Sequence, residues 1–195
     1  MRVTKRRAET RARLLDAAFH VFAAKGFGPA RIDDVCAAAG YTRGAFYSNY
    51  TTLDELFFDL YDERAALIAA QVTSALTAPP LDASITEIIE RTVATLLLDR
   101  DWLLVKTDFL LHAARNPALA RRLADHRDHL RQAVEDRLAT VRPQLALPSS
   151  IPDVGAAARA VVAAYDGVTV QLLLDGDLPA ARAWLTDLLT ALLVR

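Results

Sequence analysis

One cysteine and seven glycines stand among 195 residues, and each scarcity removes a class of protein. Cys36 alone cannot build an internal disulfide framework, and its solitude fits a reducing cytoplasm. With glycine so sparse, no glycine-rich loop of the kind that cradles phosphate stands out. No uninterrupted apolar run approaches the roughly 18 residues needed to span a bilayer, so a membrane-spanning role is not expected. The amino-terminal MRVTKRRAETRARLL is basic but leads into an amphipathic pattern, not into the apolar core of a signal peptide. Period-two alternation, internal repeats and low-complexity tracts are also missing. No nucleophile–base set and no cluster with metal-ligand spacing stands out; the pair His126 and His129 lacks a third ligand nearby and is taken as a solvated helix face. Neither an enzyme nor a cofactor carrier is expected.

What remains is apolar, charged and helical. Hydrophobic residues make up 53% and charged residues 24%, the balance of a folded domain with a real core. The net charge of −1 is unevenly spread. Residues 1–50 carry nine Lys/Arg against four Asp/Glu, a balance of +5 that leaves −6 for the rest. A basic head on an acidic body points to a polyanion at one end only, where a plain solvated terminus would carry no such meaning.

Apolar spacing of three and four residues runs through nearly the whole chain, which predicts an all-α fold of about nine helices. Leu14, Leu15, Ala18, Phe19, Phe22 and Ala23 stripe the first helix, and Gly26 stops it. A short helix from Ile32 to Ala39 is closed by Gly40. The next starts after Thr42, whose hydroxyl can cap it. A long one begins at Thr52, with Glu55 completing a capping box, and runs to about Leu76. Pro79-Pro80 breaks it, and helical stretches follow near 83–99, 101–115, 117–141, 153–175 and 179–194.

The segment CAAAGYTRGAFYSNY, residues 36–50, places two short helices around a tight glycine turn, a helix-turn-helix. Ile32, Val35, Cys36, Ala39 and Phe46 form its inner face. Arg43, Gly44, Ala45, Tyr47 and Asn49 then point outward or sideways. Arginine can pair bidentately with a guanine edge, and alanine can touch a thymine methyl. Gly44 lets the helix approach a groove, while Tyr47, Ser48 and Asn49 suit phosphate oxygens, which position without specifying sequence. Thr42 opens that face as well as capping it. An ordinary helical hairpin, with Tyr47 and Tyr50 packed on neighbours, is the competing reading.

The motifs Phe22-Ala-Ala-Lys-Gly-Phe27, Ile32-Asp-Asp-Val-Cys36, Ala39-Gly40, Gly44-Ala-Phe-Tyr47 and Asp54-Glu-Leu56 resemble the DNA-binding domain of the TetR family of bacterial transcriptional regulators, over residues 7–60. Two positions depart from that family's pattern. Arg31 stands where Thr or Ser usually opens the first short helix, which would exchange a hydroxyl contact to phosphate for a charged one. Leu53 stands where a lysine is usual, removing a phosphate partner and packing inward instead. The resemblance implies a head at 1–52, and a helical body at 53–195 that binds a ligand and dimerises.

Within that body, 153–175 and 179–194 are apolar on almost every face, and a helix apolar all round needs cover on both sides. A homodimer through these two segments is expected, with Ala156, Ala157, Ala160, Ala163 and Ala164 permitting close approach; a monomer with the pair internal is the alternative. Trp102, Asp108, Phe109, His112 and, farther on, Tyr165 are candidates to line an apolar cavity with polar groups at its edge. The expected protein is a cytoplasmic regulator, a repressor by resemblance, that holds a palindromic double-stranded operator as a dimer and leaves it when a small, hydrophobic effector binds. The alternative is an architectural or cell-division DNA-binding protein without an effector.

Overall fold

The computed structural model describes residues 2–77, 83–96 and 98–194, so the Pro79-Pro80 break lies outside the described residues. Among those described, nine α-helices and one short 3-10 helix account for the regular structure, with no strand. They are α1 (Arg2–Lys25), α2 (Ile32–Ala39), α3 (Arg43–Tyr47), α4 (Leu53–Thr77), α5 (Ile85–Thr95), α6 (Arg100–Ala114), α7 (Pro117–Thr140), α8 (Val154–Asp175) and α9 (Leu178–Leu193). The all-α reading is what the chain adopts.

Local chemistry sets the ends. Gly26 and Gly40 take left-handed φ values of 83° and 69°, which a side chain rarely tolerates, and they stop α1 and α2. Thr42 Oγ1 accepts from the amide of Ala45 and starts α3. The capping box foreseen at Thr52 and Glu55 is split: Thr52 Oγ1 accepts from the Glu55 amide, but Glu55 reaches back to the amide and hydroxyl of Thr51. Helix α5 has a complete box between Ser84 and Glu87, and it ends earlier than its apolar pattern suggests. Leu96 leaves helical geometry there, and the chain buries Leu96 and Leu98 two residues apart.

Packing divides the chain into two compact units. Unit one comprises residues 1–64 and 101–123; unit two comprises 65–100 and 124–195. The early part of α4 and almost all of α6 therefore pack with the head.

The core of unit one is aromatic. Phe57 and Phe109 stack with centroids 3.6 Å apart and planes 9° from parallel, and Phe27 meets Phe109 edge-on at 4.7 Å. Phe46, Phe57 and Phe109 have no exposed surface, and Leu53 packs against the same cluster. Burial of such a ring is worth roughly 1.5–3 kcal/mol before entropy is counted.

Unit two is aliphatic, built on the α8–α9 pair with α5 against α9. Arg127 and Asp166 tie α7 to α8, and the Ala146 amide donates to the Leu193 carbonyl at 3.0 Å. Asp153 and Asp177 cap α8 and α9. Leu174 is 78% exposed, Trp184 50% and Val170 49%, so both helices leave an apolar face uncovered. Although Arg159 and Asp166 interrupt it, α8 is the one described helix long and apolar enough on average to cross a bilayer. A face left for another protein surface has the same composition, and this one belongs to a helix docked on α9.

Candidate nucleic-acid interface

Helices α2 and α3 sit across the turn Gly40-Tyr41-Thr42. The Tyr41 amide donates to the Cys36 carbonyl at 2.9 Å, and the half-buried Tyr41 ring packs on the core below. Phe46 and Tyr50 anchor α3 from beneath, with Phe46 fully buried. The Tyr50 hydroxyl donates to Asp59 Oδ2 at 2.9 Å, burial pushes its phenol up in pKa, and the Arg11 guanidinium lies 4.7 Å over its ring. Val35 and Cys36 are buried under α2, and burial also raises the Cys36 thiol. That buried, uncharged thiol is a packing group.

Above this anchor the outward side of α3 is open. Arg43 and Gly44 are exposed, and Tyr47 is 54% exposed. At its carboxyl end the polar side chains have partners within the helix. The Ser48 hydroxyl donates to the Gly44 carbonyl at 2.8 Å, and Asn49 Nδ2 donates to the Ala45 carbonyl at the same distance. Both side chains therefore bond back to their own helix. Asn49 Oδ1 is buried, with no hydrogen-bond partner among the described residues. Ala45 and Asn49 are half-buried, and Thr42 spends one lone pair on its capping bond.

The basic head sorts into two groups. Arg11 is paired with Asp59, Lys25 with Asp34 at 2.6 Å, and Arg43 with Asp33 at 2.6 Å. Asp34 also accepts from the Arg31 amide at 3.0 Å. The hydrogen bond from Lys25, then that from the Arg31 backbone, holds the Asp34 carboxyl below the usual aspartate range. The side chains of Lys5, Arg6, Arg7, Arg13 and Arg31 are exposed. Four of these, all on α1, border an open concave surface whose other wall is Tyr41, Ala45, Ser48 and Asn49. A strip of positive charge beside the exposed face of a short helix is what a polyanion with a groove requires.

The five residues expected to line an effector cavity do not come together in one unit. Trp102, Asp108, Phe109 and His112 belong to unit one and Tyr165 to unit two. Phe109 is enclosed by Phe27, Phe57 and Phe58. Asp108 Oδ2 accepts from the Phe27 amide, in the turn that leads from α1 to α2. His112 lies 4.9 Å from the Phe27 ring, with Nε2 3.4 Å from Asp54 Oδ1. Trp102 is 2% exposed, facing Tyr61 and Phe57. These four side chains fasten α6 to the head. Of the two imidazoles on α7, His126 and His129, the rings lie 6.4 Å apart, and no group of three metal-ligating side chains occurs among the described residues.

An all-helical chain that presents the second helix of a helix-turn-helix beside a cationic arm has the architecture of a DNA-binding regulator. The family profile described as bacterial regulatory proteins of the tetR family matches residues 14–60, and that described as the BetI-type transcriptional repressor, C-terminal, matches residues 81–194. The chain belongs to the TetR family of transcriptional regulators. No curated protein matches it. Among solved structures it is similar to a regulator from Saccharomonospora viridis in complex with choline, with 21% identity, 96% of this chain and 100% of that one covered, and a TM-score of 0.74. It is similar to the fatty acid degradation regulator FadR from Bacillus halodurans, with 17% identity, 92% and 94% covered, and a TM-score of 0.73. The multidrug binding protein EbrR complexed with imidazole shares 29% identity over 92% of this chain and 89% of that one, with a TM-score of 0.62.

Proposed function

We propose that the chain is a repressor that binds a palindromic operator as a homodimer and releases it when a small organic effector binds. The observation that carries the reading is the exposed outer side of α3, bearing Arg43, Gly44 and Tyr47 over a buried Phe46 anchor and beside the cations of α1. In this reading Arg43 pairs with a guanine edge and Ala45 meets a thymine methyl. Tyr47 donates to phosphate, while Arg31, Thr42, Ser48 and Asn49 border the duplex. The back-bonded Ser48 and Asn49 contribute shape and lone pairs more than protons. Two such helices enter successive major grooves about 34–36 Å apart, or a multiple of that. The partner copy covers the α8–α9 face around Val170, Leu174 and Trp184.

The support for an effector is the family and two structural neighbours that hold choline and imidazole. An effector acts by its preference for a conformation whose two heads are wrongly spaced. Asp108, His112, Phe109 and Trp102 then serve as the attachment of α6 to the head. A protein with these parts works in the cytoplasm. The second reading, DNA binding without an effector, draws on the packing of Phe109 and Trp102 within the aromatic cluster of unit one.

Selection of duplexes from a randomised library by the purified full chain should return a palindrome. Arg43→Ala should then cost about 1–3 kcal/mol at one position in each half-site. Weakening that is equal on every sequence would make Arg43 a phosphate contact. Tyr47→Phe should weaken operator and non-operator binding alike. A screen of small amphiphilic compounds for loss of operator binding separates the two readings of the body.

A further inference from the structure

We infer that Asp33 is a specificity-determining residue, whose ion pair with the Arg43 guanidinium restrains it on the Nε side so that its terminal nitrogens are offered to a base and withheld from phosphate. The inference rests on the proposed base contact of Arg43 and concerns a different residue, on α2. Asp33 and Asp34 are consecutive, and a helix turns about 100° between neighbours. The two carboxylates therefore serve different neighbours. Asp34 faces back to Lys25 and the Arg31 amide, fastening α1 to α2. Asp33 faces α3, where its Oδ1 lies 2.6 Å from Arg43 Nε.

That pair has little to do with holding the fold. Its side chains are 63% and 62% exposed, and ion pairs so open to water contribute little to stability. Its position carries an electrostatic penalty instead. A carboxylate beside the exposed side of α3 repels the phosphates of any duplex, whatever its sequence. What it supplies in return is control over a long side chain that would otherwise sample many rotamers. A guanidinium has five donors in a planar fork. With Asp33 at Nε, the NH1 and NH2 end remains for two parallel hydrogen bonds to guanine O6 and N7. Without Asp33 the same cation can swing to the nearest phosphate, gaining affinity on every sequence and information on none. Asp33 thus acts through Arg43, as a positioning residue that lowers general affinity and raises discrimination.

The test uses the full chain and a randomised double-stranded DNA library, comparing wild type, Asp33→Asn, Asp33→Glu, Arg43→Ala and the double variant Asp33→Asn/Arg43→Ala. Asp33→Asn should raise affinity for non-selected duplex and lower preference at the single base pair read by Arg43 by about tenfold. Other positions should keep their preference, and the charge-conserving Asp33→Glu should restore most of the loss. In the Arg43→Ala background the substitution at Asp33 should no longer change preference at that base pair. Two results overturn the inference: preference unchanged in Asp33→Asn while Arg43→Ala still loses it, or an Asp33→Asn loss that persists undiminished without Arg43. If Arg43→Ala itself leaves all preferences intact, the proposed base contact fails, and this inference falls with it. Matching thermal unfolding of wild type and Asp33→Asn confirms that the comparison is between folded proteins.

Discussion

The two units of this chain bury their apolar surface in different ways. In unit one the rings of Phe27, Phe57, Phe58 and Phe109 close on one another, and the large exposed apolar groups are Tyr47 on α3 and Leu110 and Leu111 on α6. In unit two Leu, Ile, Val and Ala do the packing, and Val170, Leu174 and Trp184 remain outside on α8 and α9. A closed aromatic core can hold a rigid surface in register, which a reader of DNA needs. An unfinished aliphatic one has a face to give to another molecule. The apolar groups left outside differ too: in unit two they lie on the paired helices α8 and α9.

The largest expected effect breaks the closed side of that comparison. Phe109→Ala removes the ring at the centre of the cluster and should cost about 3–5 kcal/mol of stability, measured by denaturant unfolding. Operator binding should fall with it, although Phe109 is on α6, outside the helix-turn-helix. A loss under about 1 kcal/mol would mean the cluster can collapse around the gap.

The open side is tested next. Leu174→Glu with Trp184→Glu places two carboxylates on the uncovered face and should weaken self-association by more than about 2 kcal/mol. Sedimentation velocity should show a dimer for wild type and a folded monomer for the variant. Unchanged association would place the interface elsewhere.

A smaller effect sharpens the assignment of α6 to the head. Asp108→Ala leaves the Phe27 amide without its acceptor and should cost about 1–3 kcal/mol. Because that amide lies in the turn leading to α2, operator affinity without any effector should drop as well. If only the response to an effector changes, Asp108 lines the effector site after all.

The smallest effect is one of pH. The folded Asp34 carboxyl lies below its ordinary range because Lys25 and the Arg31 amide hydrogen-bond to it. Its contribution is therefore present above the unfolded value and is lost as pH falls through the folded one. Thermal midpoints of wild type and Asp34→Asn should differ by a constant amount at neutral pH and converge below about pH 4. Curves that stay parallel into acid would show that the substitution acts by another route.

Much of this arrangement was legible in residue order, and the remainder was not. Helix α2 runs from Ile32 to Ala39 as read, because Gly40 and Thr42 fix the turn chemically and nearby. The inward Phe46 and outward Tyr47 follow from a hundred-degree step between neighbours. Asp108 and Phe109 could be read as a half-polar stripe, but periodicity says that a face is covered without saying by what. Their partner Phe27 is 81 residues from Asp108, beyond any local pattern. The back-bonds of Ser48 and Asn49 are not visible in residue order, since a carbonyl one turn back competes with an outside acceptor for the same protons. Leu96 and Leu98 fit a helical pattern in the sequence, yet Leu96 leaves helical geometry and both side chains are buried.

The hydrogen bond between Asp108 and the Phe27 amide also orders events in time. A contact between residues so far apart cannot form until the intervening chain exists. During synthesis at roughly 5–20 residues per second, α1, α2 and α3 leave the ribosome several seconds before α6 follows. Through that interval the turn after α1 lacks its acceptor, and Phe27 and Phe57 lack the ring that packs against them. The nascent chain thus emerges with its helix-turn-helix sequence complete and the scaffold beneath it unfinished. The turn after α1 gains its acceptor, and Phe27 and Phe57 their third ring, only once α6 has been made.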